Sequence, residues 1–170
     1  MNGVSDGETG VTYEYLEKTG QIEHIIYQAR GEQTMRTTKT YDRRLCLLNT
    51  TTRWLGDNQI LSSHQYTYNM ANQRTTALDD NGNQRDYEYD GIGQVISGEH
   101  TDADGNTLQS YTYDFDTIGN RKQAFNQGVV EDYNANRLNQ YASRRTTENT
   151  NKTHTDYQHD EDGNLLQDGK

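Results

Sequence analysis

Over short runs of this chain, apolar and aromatic side chains fall at every second position, and each run then gives way to Asp, Asn and Gly. The runs are clearest where tyrosines stand two apart, at Tyr13 and Tyr15, Tyr66 and Tyr68, Tyr87 and Tyr89, and Tyr111 and Tyr113. Residues i and i+2 share one face of an extended strand, whereas on a helix they point about 200° apart. The residues beside them in QYTY, RDYEY and SYTY are polar or β-branched, which leaves the opposite face polar. The pattern predicts half-buried β-strands with tyrosine on one side.

The strands repeat. Aligned on the second aromatic position, the units are anchored at Tyr15, Tyr41, Tyr68, Tyr89, Tyr113, Tyr133 and His159, with Tyr157 in the first position of the last unit. The separations are 26, 27, 21, 24, 20 and 26 residues. Such uneven spacing argues against a solenoid of identical coils, whose stacked turns need equal lengths, and suits hairpins, whose loops tolerate it.

The folding-back points are written as D-x-x-G. Asp90 to Gly93, Asp116 to Gly119 and Asp160 to Gly163 follow tyrosine strands, and Asp79 to Gly82 and Asp102 to Gly105 lie between units. Asp at the first position of a type I turn caps backbone amides, and Gly at the fourth adopts positive φ without steric cost, giving a hairpin with a G1 bulge. Turn signals near 79, 90, 102 and 116 fit an antiparallel meander. The expected fold is all-β, a ribbon of about seven repeated hairpins. The absence of proline is compatible with this, since proline removes ladder donors.

Two regions depart from the repeat. Residues 23 to 62 hold most of the apolar weight and read as longer strands with a better-covered face; SRRTTENTNKT, at 143 to 153, reads as a long loop or an irregular hairpin tip.

Composition sharpens the picture. Leu, Ile, Val and Phe make up 25 of 170 residues, under the roughly 20% below which chains tend to be disordered. Yet the net charge is only −10 and there are thirteen tyrosines, and disorder calls for high charge and few aromatics. Periodicity decides for a folded sheet with a thin core. With 26 acidic against 16 basic residues and no Lys/Arg cluster, nucleic acid lacks its electrostatic term. No apolar run approaches the ~18 residues of a membrane span, and MNGVSDGETG lacks the layout of a signal peptide, so an export signal is expected outside this segment. Cys46 is the only cysteine, which excludes an internal disulfide.

Candidate chemistry is sparse. DADGN and HDEDGN place glycine at position 4, where an EF-hand loop needs it at 6, so turn chemistry explains them and no metal is expected. His154 and His159 lack a helix or an H-E-x-x-H pattern to bring them together. Cys46 lacks a His or Asp partner at a characteristic spacing, and GIGQVISG is followed by no helical pattern that would make it a phosphate loop. No catalytic residue and no cofactor are expected. Regular spacing favours the tyrosines as cross-strand stacking elements over platforms for sugar rings. Trp54 is the better glycan contact, beside the alternative that it packs with Leu55.

TYDRRL, YEYDGIGQV, YTYDFDTIGNR and YQHDEDGNLLQDG resemble the tyrosine-aspartate (YD) repeats of Rhs, teneurin and insecticidal toxin-complex proteins, over a stretch from about Tyr13 to Gly169. RLNQY at 137 to 141 resembles a stretch late in bacterial Rhs shells, while Lys39, Glu131 and His159 stand where tyrosines belong. The resemblance implies a β-strip that spirals into a hollow shell around a C-terminal toxin or cargo, with tyrosines of successive repeats stacked along it. It also implies a D-P-x-G self-cleavage core at the end of bacterial shells, which a chain without proline does not contain.

The expectation is therefore a non-enzymatic piece, residues 1–170, of a larger secreted or cell-surface shell, whose partners are neighbouring repeats and an enclosed cargo. Unpaired edges of such a piece invite edge-to-edge self-association. The alternative is a glycan- or cell-surface-binding β-repeat module, which saturable, aromatic-dependent binding on a glycan array would distinguish.

Overall fold

The computed structural model describes residues 2–167. The chain divides into two compact units, 1–85 and 86–170. The first holds β1 (Asn2–Ser5), β2 (Thr9–Tyr15), β3 (Ile22–Ala29), β4 (Glu32–Tyr41), β5 (Leu47–Trp54), β6 (Ile60–Tyr68) and β7 (Arg74–Asp79), and β8 (Gln84–Tyr89) straddles the boundary. The second continues with β9 (Val95–Thr101), β10 (Thr107–Phe115), β11 (Arg121–Asn126), β12 (Val129–Ala135), β13 (Tyr141–Glu148), β14 (Asn151–Asp156), β15 (Gln158–His159) and β16 (Leu165–Gln167). Strands β1 to β14 are hydrogen-bonded in sequence order, and β15 pairs with β16. The fold is all-β and antiparallel, a meander of successive hairpins, as the alternation and turn signals predict. The likeness to YD repeats runs on to Gly169, which lies outside the described residues.

Residues 23 to 62 fall in long strands, ten residues in β4, and this region holds two of the three buried side chains of the first unit among the described residues, Ile26 at 3% and Thr37 at 7% exposure. Of the two readings of residues 143 to 153, the structure shows a hairpin with its tip rather than a long loop, and the hairpin is regular. Its strands pair Ser143 with Asp156 through to Glu148 with Asn151, so only Asn149 and Thr150 form the turn. The polar stretch that suggested a loop holds four β-branched residues, Thr146, Thr147, Thr150 and Thr153, and paired Thr146 and Thr153 fit a pleated surface well. Asn149 takes the positive φ (52°) that a tight hairpin needs.

One turn recurs with the same hydrogen bonds. In Asp90 to Gln94 the Asp90 N–H donates to Gln94 O, the Gly93 N–H donates to Asp90 O, and Asp90 Oδ1 accepts from the amides of Ile92 and Gln94. The turns opening at Asp42, Asn69, Asp79, Asp102, Asp116, Asn136 and Asp160 repeat all of these bonds. The fourth residue always has positive φ, and it is Gly in five of them, Asn72 and Asn139 in two, and Leu45 (φ 65°) in one. In the hairpins that follow a tyrosine strand the ladder then slips by one residue, as at Tyr15/Ile22, Tyr41/Leu47, Tyr68/Arg74 and Phe115/Arg121.

Leu45 is the strained member of this set, because a left-handed conformation costs an L-residue about 1–2 kcal/mol. Leu45→Gly is expected to raise stability by about 1 kcal/mol in urea unfolding, whereas Gly119→Leu, at φ 94°, is expected to lower it by at least as much.

Candidate functional site: the tyrosine face

Cross-strand register places the tyrosine pairs on one face of each unit. In the first, Tyr13 stands opposite Ile25, Ile25 opposite Thr37, Thr37 opposite Thr52, and Tyr66 opposite Ala77. In the second, Tyr113 stands opposite Ala124, Ala124 opposite Glu131, and Tyr133 opposite Arg144. Tyr13, Tyr41, Tyr66, Tyr68, Tyr87, Tyr89, Tyr111, Tyr113, Tyr133 and Tyr157 are half-buried, and Tyr15 is exposed. Ala77 and Ala124 are almost fully covered, at 7% and 6%, since a small side chain directly across from a large ring lets the ring lie down over it.

The tyrosine hydroxyls do specific work at the slipped registers. A bulge throws backbone groups out of the ladder, and a half-buried carbonyl or amide left there needs another partner. Tyr41 Oη donates to the carbonyl of Ile22 at 2.8 Å, and Tyr68 Oη donates to the carbonyl of Leu47 at 2.8 Å. Ile22 and Leu47 flank the bulges of the preceding hairpins, where Glu23 and Leu48 are the extra residues. In the second unit the polarity reverses: the Arg121 amide, at another bulge, donates to Tyr141 Oη at 2.9 Å. Burial raises the Tyr41 pKa, and burial followed by the bond to Glu131 raises that of Tyr133, so both phenols stay protonated at neutral pH.

Arginine covers the rings. Arg74 lies over Tyr66 with its guanidinium carbon 4.1 Å from the ring centroid, and Arg121 lies over Tyr113 at 4.8 Å and near Tyr133 at 5.7 Å. Tyr133 and Tyr141 meet at a tilt, with centroids 5.2 Å apart. Tyr133 Oη donates to Glu131, which also pairs with Arg144 at 3.1 Å. Tyrosine thus meets arginine, glutamate and backbone as well as tyrosine. Sequence reading did not single out Arg74 and Arg121. Their signal was present, because each is the first residue after the turn that follows a Y-x-Y pair, with five residues between Tyr68 and Arg74 and seven between Tyr113 and Arg121.

The turn residues act as caps. In Asp79, Asp102, Asp116 and Asp160 the second carboxylate oxygen accepts from the side-chain amide of the fifth residue, Asn83, Asn106, Asn120 or Asn164. Asn69 and Asn136 reverse this bond, donating to Gln73 and Gln140. These fifth residues were also missed, although N-x-x-N-Q occurs twice and D-x-x-G is always followed by Asn or Gln. The side-chain amide bond holds the pKa of each of those four aspartates below the ordinary carboxylate value; at Asp42 and Asp6 the leading cause is a backbone amide, from Cys46 and Thr9.

Trp54 is 41% exposed, lies directly across from Met35, and its indole runs over Gly56, where an added Cβ would come within 2.7 Å of Nε1. One side of the ring is therefore closed by its own loop. His154 bonds Asp156 at 3.0 Å, His159 lies in β15, and Cys46 is the half-buried fifth residue of a turn. Among the described residues, no three His, Cys, Asp or Glu side chains converge as a metal site.

Tyr68→Phe is expected to cost about 1 kcal/mol in chemical unfolding by orphaning the Leu47 carbonyl, and Tyr66→Phe less, because it keeps a ring beneath Arg74. Acid should weaken the fold. With the capping aspartates depressed below 3.8, the folded chain binds fewer protons than the unfolded one, so their contribution is complete above that pH and is lost as pH falls through the folded values. Asp102→Asn with Asp160→Asn keeps the backbone caps, as Asn69 and Asn136 do, and should flatten the decline in melting temperature between roughly pH 5 and 2; an unchanged slope would count against the caps.

No family model and no curated protein matches the sequence. Solved structures do match its fold. In the TcdB2-TccC3 complex with Cdc42, the matched chain is 19% identical at a TM-score of 0.75, covering 95% of this chain and 9% of that one. TcdB2-TccC3 solved without its hypervariable C-terminal region gives 19% and 0.74, again with 95% and 9% coverage. The Photorhabdus luminescens Tc holotoxin pore gives 18% and 0.53, with 94% and 11% coverage. The chain thus spans about a tenth of the length of these toxin-complex chains, and at this identity the likeness is one of fold.

Proposed function

We propose that the chain is a structural, non-enzymatic segment of an Rhs/YD-repeat β-shell, part of the wall of a longer secreted or cell-surface protein that encloses or displays a C-terminal toxin or cargo. The observation that carries this reading is the recurring unit itself. The unit that recurs from Tyr41 onward is a tyrosine strand followed by an Asx-capped turn, with a slipped register at Tyr41, Tyr68 and Phe115, and tyrosine hydroxyls tie hairpins to their predecessors at Ile22 and Leu47. A device repeated hairpin by hairpin builds surface by extension, as a wall requires, and the toxin-complex chains that share the fold supply a setting in which such walls are long. The polar, acid-capped turns at Asp102 and Asp160 suit hairpin ends that face water.

The test uses the full parent protein with its C-terminal region. Limited proteolysis read by mass spectrometry is expected to leave that region intact while it is cut quickly when expressed alone. Equal cleavage rates in the two settings would sink the shell reading.

A further inference from the structure

In the second unit the turns at Asp90 to Gln94, Asp116 to Asn120 and Asn136 to Gln140 alternate with strands so that all three lie at one end of the hairpins. Their bonding uses the third residue through its backbone amide alone, so its side chain is free to be anything polar. Yet the third residue is Ile92, Ile118 and Leu138, at 75%, 70% and 77% exposure. The turns at the other end, Asp102 to Asn106, Gln127 to Gly128 and Asn149 to Thr150, carry no exposed large apolar side chain. Single exposed aliphatics need no explanation, but a row of them at one turn position does.

The row is also held in place. The side-chain amide of Gln94 lies against Gly119 in the next turn, where an added Cβ would come within 3.1 Å, and Asn120 donates to the side-chain oxygen of Asn139 in the turn after that. Beside the first two tips runs a groove of about 400 Å³, lined by Ile92, Ile96, Tyr113 and Phe115 with Asp90 and Asp116 at its rim. The third tip offers a knob for such a groove in Leu138, flanked by the exposed cation of Arg137.

Knob and groove sit at opposite ends of one three-turn row. We propose that this row is a self-association surface, on which two copies of the chain pack tip to tip about a two-fold axis through Ile118. Such an isologous contact satisfies both halves at once. Leu138 of each copy enters the groove beside Ile92 of the other, Ile118 meets its own counterpart, and Arg137 faces the Asp90 and Asp116 rim. A second copy is the occupant that matches on shape and charge together.

Sedimentation velocity of the 170-residue chain over a concentration series tests this. A monomer–dimer equilibrium is expected, weakened at least tenfold by Leu138→Ser and by Arg137→Glu, with circular dichroism unchanged because both side chains are exposed. In a Cys46→Ser background, Ile118→Cys should form a disulfide-linked dimer on mild oxidation, while Thr153→Cys on edge strand β14 should not. A strict monomer would overturn the proposal and leave the row to some other partner. A dimer indifferent to Leu138→Ser, or one cross-linked through residue 153 instead of 118, would overturn it in favour of strand-edge pairing.

Discussion

Backbone satisfaction in a sheet with almost no interior is the constraint on which the rest of this protein depends. A globular domain hides its bulges and turns beneath a core, but here Ile26, Ala77, Ala124 and Thr37 are the buried side chains among the described residues. Amides and carbonyls that leave the ladder must therefore find partners nearby. The Asx caps do this at the hairpin ends, and the tyrosine hydroxyls do it at the slipped registers beyond them. Removing either would leave polar groups half-buried and unpaired, which costs more than the bond itself returns.

The same constraint explains a composition that resembles disorder. Aliphatic residues are few because there is little interior to fill. Long polar side chains cover the faces instead: Arg74 and Arg121 spread over tyrosine rings, and hydroxyls pair across strands, as between Thr37 and Thr52 or Thr51 and Ser63. Arginine suits this task, since its stem packs against a ring while its planar head stays partly wet. Each contact is small, and stability accumulates hairpin by hairpin.

The turns show which part of their motif is indispensable. The first position is always Asp or Asn, because its Oδ1 must accept two amides in the set that opens at Asp42, Asn69, Asp79, Asp90, Asp102, Asp116, Asn136 and Asp160. Glycine at the fourth is only the cheapest answer to a positive φ, and Asn72, Asn139 and even Leu45 take its place. A search for D-x-x-G alone thus misses the turns at 42, 69 and 136, which obey the same physics.

Strand identity, turn position and the antiparallel meander were legible in the sequence, because they follow from local rules: alternation at Tyr87 and Tyr89, a cap at Asp90, a free φ at Gly93. Local rules also misled where polarity was mistaken for irregularity at 143 to 153, since composition does not say that Thr146 and Thr153 will face each other. What the tyrosines touch was decided by tertiary structure alone. Whether a ring meets another ring, a guanidinium or a carbonyl depends on register, and register at a bulge shifts by one residue. That single slip brings Tyr68 to Leu47 and Arg121 to Tyr141, contacts that join residues about twenty apart and that no short pattern encodes.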